Sequence, residues 1–303
     1  MPVVLPGSVP LPPSFEGLLE VATTVVAPSE FAASVARLGA PCPVEVVHFP
    51  TRGAGRAEPA APGAPCTFLT VVDAGTPVAQ ANPRAVVSAF REAFGPAARG
   101  SLARLLVVLA GAGSRLEARS ELEAETARVG GELVADCGAG RVDELVAAAD
   151  VYVSLHRATG FGLRMADAMA AGRPVVATGW SGSLDFMGPR SACLVGYTVA
   201  PLLGGELYED ARADVVRDRG AFWVEPDVAG AARWMRQLAA DAGYRARVGA
   251  SAARQVQESL APEVVGPALR SLVERVEALP VAADAIGRAV RWPPPRSAAG
   301  GAR

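Results

Sequence analysis

Between Ala149 and Thr178 the chain gathers residue types that suit a phosphorylated ligand. The run reads Ala-Asp-Val-Tyr-Val-Ser-Leu-His156-Arg157-Ala-Thr159-Gly160-Phe161-Gly162-Leu163-Arg164-Met-Ala-Asp167, then continues through Gly172-Arg-Pro174 to Val-Val-Ala-Thr178. Two glycines two apart let a ligand approach the backbone closely, because no Cβ stands in the way. A helix that starts just after them presents unpaired N–H groups and the positive end of its dipole, a combination that attracts phosphate. Arg157 and Arg164 flank the glycines, and guanidinium groups grip phosphate oxygens well. Asp167 follows on the helix as a hydrogen-bond acceptor.

Elements of definite kinds must position these residues. Val151–Leu155 is a short apolar strand, Leu163–Ala171 a helix, and Pro174–Thr178 the next strand, with Gly172-Arg-Pro174 ending the helix. The same alternation runs through the chain from Cys66. Phe68–Val72 is a strand and Pro83–Phe94 an amphipathic helix. Leu105–Leu109 and Arg115–Arg128 repeat the pair, as do Glu132–Asp136 and Val142–Ala148. Short apolar strands alternating with helices predict an α/β fold, a Rossmann-like parallel sheet with helices on both faces. Open sheets of that kind bind ligands at the C-terminal edge of the strands, where the glycine loop falls. Ahead of this region lies a smaller αβ unit: Thr23–Ala27 as a strand, a helix capped by Ser29, and Val44–Phe49 as a second strand. The expected organisation is an N-terminal unit over 1–50, a Gly/Pro/Ala-rich linker over 51–65, the large domain over 66–280, mostly helical from 227 to 278, and a disordered tail over 281–303. A second capped helix start is expected at Ala261-Pro262-Glu263.

Composition narrows the chemistry. The 29 basic residues are all Arg, so a lysine Schiff base or lysine general base is ruled out. A formal net charge of −2 gives no electrostatic reason to expect nucleic acid or an acidic membrane as partner. The aromatic residues are scattered and form no stacking platform in the sequence. Cys42, Cys66, Cys137 and Cys193 make no C-x-x-C, and with two His in the chain no metal site is expected. Reduced, mostly buried thiols and an N-terminus without a basic-then-apolar leader point to a cytoplasmic protein. No apolar run approaches the ~18 residues of a transmembrane helix. Gly111-Ala-Gly113 follows a strand but lacks the third glycine of a dinucleotide fingerprint.

The run from Ser154 to Val176 resembles the donor-site signature of glycosyltransferase family 4, of the form S-L-H-R-x-E-G-F-G-L-x-x-x-E-A-M-A-x-G-x-P-V. The similarity extends to Thr178–Met187 and to Phe222–Asp227. It also takes in Asp73–Phe94 as an opening βα unit, and residues 21–50 as the last βαβ piece of an N-terminal acceptor-binding domain whose front part is absent. The resemblance implies the C-terminal half of a GT-B fold. It implies that a nucleotide-diphosphate sugar is the donor substrate, with no further cofactor. A hexose would pass to an unidentified acceptor with retention of configuration and without a metal. Gly160, Phe161, Gly162 and Leu163 would seat the diphosphate, helped by Arg157 and Arg164, and Asp167 would hydrogen-bond the ribose. His156 and Thr159 would stand at the reacting sugar.

Thr159 and Asp167, with seven residues between them, occupy the places of the family's two carboxylates. Thr159 keeps a hydroxyl and cannot carry charge. Asp167 is one methylene shorter than Glu. Gln80 and Ala81 stand where the family carries Arg and Lys, and Val108-Leu109-Ala110 where it carries a further Lys. Losing one preorganised transition-state donor costs about 10²–10³ in rate. Two functions follow: a hexosyltransferase, or a catalytically impaired relative that acts as a partner subunit or remains as a truncated remnant. The apolar flank expected beside the absent acceptor region would favour a protein partner or a homo-oligomer.

Overall fold

The computed structural model describes residues 2–4, 22–51, 63–73, 76–95, 102–111, 116–201 and 222–278. Most of the linker and the whole of the tail segment 281–303 lie outside these, as does Gly113.

The N-terminal unit is a three-stranded parallel sheet of β1 (Pro2–Val4), β2 (Thr24–Ala27) and β3 (Val44–Val46), with helix α1 (Glu30–Arg37) packed on it. Ser29 caps α1 as its sequence position predicts, accepting from the Ala32 N–H at 3.0 Å. Strand β3 stops at Val46, short of the expected Phe49. Beyond it the chain turns away, and His48 and Phe49 pack on Phe161 instead.

The large sheet has six parallel strands in the order β6-β5-β4-β7-β8-β9. They are β4 (Cys66–Asp73), β5 (Ala103–Ala110), β6 (Glu132–Cys137), β7 (Val151–Ser154), β8 (Val175–Thr178) and β9 (Cys193–Val195). The chain first builds outward from β4 to β6, then returns to the centre and builds the other way from β7. The reversal leaves a crevice at the C-terminal ends of β4 and β7.

Helices cover both faces. On one side α3 (Pro83–Phe94), α4 (Leu116–Arg128) and α7 (Val228–Ala240) bury Val86, Phe90, Leu122, Met235 and Leu238 against Phe68, Val151 and Val153. On the other side α5 (Ala139–Ala148), α6 (Leu163–Ala170), α8 (Ala242–Leu260) and α9 (Pro262–Glu277) pack around Leu69, Val71, Tyr152, Met169 and Val256. Val26 and Val47 of the N-terminal unit belong to this second core, and the Thr51 N–H donates to the Leu260 carbonyl at 3.0 Å.

Asp227 caps α7 through the Gly230 N–H at 2.9 Å. Ala261 supplies no side-chain cap to α9, whose start rests on Pro262 at the first position. A short helix α2 (Val78–Ala81), a 3₁₀ turn (Gly182–Asp185) and an antiparallel ribbon of β10 (Tyr197–Pro201) with β11 (Phe222–Pro226) complete the fold. All four cysteines are free, three of them buried. Among the described residues no helix is long and apolar enough to cross a membrane.

Candidate functional site

A cleft of about 610 Å³ opens at the crevice between the ends of β4 and β7. The loop after β7 forms one wall, with Thr159, Gly160, Phe161, Gly162, Leu163 and Arg164 all lining it together with His156. Asp73, at the end of β4, faces them.

Three separate parts of the chain hold the loop by its backbone. Thr159 donates its N–H to Ser181 Oγ at 2.9 Å, and its carbonyl accepts from the Gly182 N–H at 3.0 Å. Gln80, on α2, donates its side-chain amide to the Ala158 carbonyl at 3.1 Å while its own carbonyl accepts from the Arg157 N–H at 2.9 Å. From the N-terminal unit, the Ser29 hydroxyl donates to the Gly160 carbonyl. The Gln80 amide therefore serves as a brace for the loop.

Gly162 turns the chain into α6 at φ +90°, and a Cβ there would lie 2.4 Å from Met165 Cε and 3.2 Å from Ser183 Cβ. The position accepts only glycine without strain. At the other end of α6, Gly172 at φ +73° closes the helix, with its N–H on the Met169 carbonyl and the Arg173 N–H on Ala168.

The N-terminal unit also docks on the loop through side chains. Phe161 is enclosed by His48, Phe49 and Phe186, with ring centroids 5.9, 5.5 and 5.1 Å away. Asp185, at the end of the 3₁₀ turn, accepts from the Glu30 N–H at 2.8 Å and lies 3.0 Å from His48 Nε2. It thus caps helix α1 across the interface.

His156 is 2% exposed, and both ring nitrogens are engaged. Nε2 lies 3.1 Å from the Trp180 carbonyl, which can only accept, so Nε2 carries the proton and Nδ1 accepts from the Ser154 hydroxyl at 3.0 Å. Burial pushes its pKa down to about 4, against the opposing pull of the Trp180 and Ser154 backbone groups, so the ring is neutral at pH 7. Tyr152, also lining the cleft, is held protonated by burial and by the nearby Asp73.

The two flanking arginines separate. Arg157 does not line the cleft. Its Nε donates to Glu225 at 2.7 Å, its Nη1 to the Ala79 carbonyl at 2.8 Å, and its guanidinium lies 4.4 Å over the Trp223 ring, tying α2 to β11. Arg164 does line the cleft, between Asp143 at 2.6 Å and Asp73 at 3.4 Å. Burial pulls the Arg164 pKa down, but Asp73 and Asp143 outweigh it and hold the guanidinium above its ordinary value. Asp167 sits on α6, 6% exposed, and is not among the cleft-lining residues. Asp73 and Asp143 escape sequence reading because their role comes from distance: they reach Arg164 from 91 and 21 residues away.

The comparison with known families concerns this same region. Residues 70–201 match the family of glycosyl transferases group 1. The matched stretch runs from within β4 to the end of β10 and contains the glycine loop, α6 and the cleft's charged residues. No curated protein matches the chain in sequence. Among solved structures, sucrose-phosphate synthase from Thermosynechococcus elongatus is similar at 17% identity and a TM-score of 0.64, over 87% of this chain and 60% of that one. HepE of Anabaena, solved with UDP and glucose, is similar at 14% identity and a TM-score of 0.64, over 92% and 72%. The pneumococcal O-GlcNAc transferase GtfA, solved with UDP and GlcNAc, gives 14% and 0.60, over 92% and 53%. At these identities the likeness is one of fold: a six-stranded parallel sheet flanked by helices, similar to GT-B glycosyltransferases. The chain spans well under two thirds of the pneumococcal protein and 60% of the synthase.

Proposed function

We propose that the cleft binds a nucleotide-diphosphate sugar and that the protein transfers a hexose from it to an acceptor, with retention of configuration and without a metal, as in glycosyltransferase family 4. The observation that carries this reading is the glycine loop and the start of α6 standing at the sheet's reversal point, inside the region matched to glycosyl transferases group 1. Helix N-termini at such points favour phosphate. The loop from Gly160 to Leu163 seats the diphosphate, and Arg164 supplies positive charge beside it. Thr159 presents its hydroxyl towards the sugar. Asp167 contacts the ribose only if α6 gives way slightly, since the residue is buried. His156, neutral and doubly hydrogen-bonded, positions the loop by tying the end of β7 to Trp180. Residues 1–50 form the acceptor-side unit, and Ser29 and Asp185 join it to the donor loop.

A second reading is favoured by Thr159 and by the two carboxylates around Arg164: a protein that retains the shape of a transferase, has little activity, and serves as a partner subunit. Calorimetry against UDP, GDP, ADP and TDP tests the binding step common to both. Micromolar affinity for one nucleotide is expected, and silence towards all four at millimolar concentration would remove the donor site. Light scattering of the purified chain addresses the second reading, which requires a defined oligomer or a co-purifying subunit.

Thr159→Glu separates the two readings further. A carboxylate restored at the sugar should raise release of nucleotide from the matching sugar donor by at least about tenfold, within the range that single transition-state groups contribute. An unchanged rate, with affinity intact, would mean that Thr159 does not face the sugar.

A further inference from the structure

Among the described residues, Asp73 and Arg164 are the charged side chains that line the cleft. They are not equal partners. The Arg164 side chain is 17% exposed, whereas the Asp73 side chain, which also lines the cleft, is 45% exposed. Asp143 contacts the same guanidinium without lining the cleft, and does so at 2.6 Å against 3.4 Å for Asp73. One cation is therefore shared between two anions, a near one that does not line the cleft and a looser one that does. The sum of the three is one negative charge.

We propose that Asp73 is a built-in competitor for phosphate, which occupies the ligand-facing side of Arg164 and sets the penalty on each phosphate charge, while Asp143 is the anchor that keeps Arg164 at the cleft wall. This rests on the nucleotide reading of the cleft given above. A phosphate entering the cleft must displace the carboxylate of Asp73 from the guanidinium or accept its repulsion. In a cleft walled by apolar groups such as Val71, Phe161 and Met165, that repulsion is screened less than it would be on an open surface. The two carboxylates thus have opposite effects, although both are paired with the same arginine.

The test compares the native chain with Asp73→Asn and Asp143→Asn by calorimetry. The probes are the nucleoside, its 5′-monophosphate and its 5′-diphosphate, for whichever of uracil, guanine, adenine and thymine binds. Asp73→Asn is isosteric, and Asp73→Ser carries the same test if it does not fold. The expected result for Asp73→Asn is a gain of about tenfold for the diphosphate, a smaller gain for the monophosphate and no change for the nucleoside. Asp143→Asn should lose affinity for the diphosphate. Equal or weaker diphosphate binding by Asp73→Asn would overturn the competitor role and leave nucleotide binding standing. Absence of binding to both the native chain and Asp73→Asn would overturn the nucleotide reading, and this inference with it.

Discussion

Gly182→Ala should destabilise the protein by about 3 kcal/mol or more and abolish nucleotide binding in the same variant. A Cβ on Gly182 would lie 2.0 Å from the carbonyl oxygen of Gly160 and 2.6 Å from Ser29 Oγ. The first neighbour is backbone of the glycine loop, and the second is the capping side chain of α1, so neither can swing aside. Relief requires the loop to retreat towards the cleft or the N-terminal unit to lift away. Either movement breaks the hydrogen bonds from Gly182 to Thr159 and from Ser29 to Gly160. Gly249→Ala is the matched control. Its Cβ would meet the Gly172 carbonyl oxygen at 2.1 Å, a comparable clash, but at the far end of α6 from the cleft. Urea unfolding should show similar losses for the two variants. Calorimetry on the folded fraction should show lost binding for Gly182→Ala alone. A Gly182→Ala protein as stable as the native chain would contradict the close approach on which the loop geometry depends.

The second large effect is one of pH. His156 is neutral and buried, and its pKa falls from the ordinary 6.5 to about 4 in the folded state. Above pH 6.5 both folded and unfolded chains carry a neutral ring and this residue adds no pH dependence. Below 6.5 the unfolded chain binds a proton that the folded chain refuses, so stability declines as pH falls, and the decline ends near pH 4 where the folded ring also protonates. The full loss is roughly 3 kcal/mol, at about 1.4 kcal/mol for each tenfold change in proton affinity. His156→Gln keeps a donor for the Trp180 carbonyl and removes the titration. Its unfolding free energy should be flatter between pH 6.5 and 4 than that of the native chain, the other groups being common to both. Parallel pH profiles would show that the ring is not held neutral.

Much of this architecture is written in local pattern. Pro83–Phe94 is a helix at the limits its periodicity and its N-terminal proline predict, and the Glu132 and Val151 strands begin where their apolar runs begin. These elements depend on period and on flanking turn residues, which a single stretch of chain contains. The β10–β11 ribbon is a different case. Tyr197–Pro201 pairs with Phe222–Pro226 across a long intervening segment, with no tight-turn signature to announce it. Likewise β3 ends short of Phe49, where His48 stacks on Phe161 and Phe49 meets the same ring edge-on, contacts between residues more than a hundred positions apart.

The candidate site divides along the same line. That Thr159, Gly160, Gly162 and Arg164 would share one wall of one cleft was legible in their spacing, since strand, glycine turn and helix are contiguous in the chain. The sequence by itself determined the αβ alternation, the glycine that α6 requires at its start, and the absence of a carboxylate at residue 159. Which charges meet was decided only by the tertiary structure. The sheet's reversal between β4 and β7 brings Asp73 to Arg164, and the packing of α5 beside α6 brings Asp143. The fold around β11 draws Arg157 to Glu225 and away from the cleft. Local conformation depends on neighbours within a few residues. Electrostatic pairing depends on distance in space, and strand order, which no local stretch encodes, sets that distance.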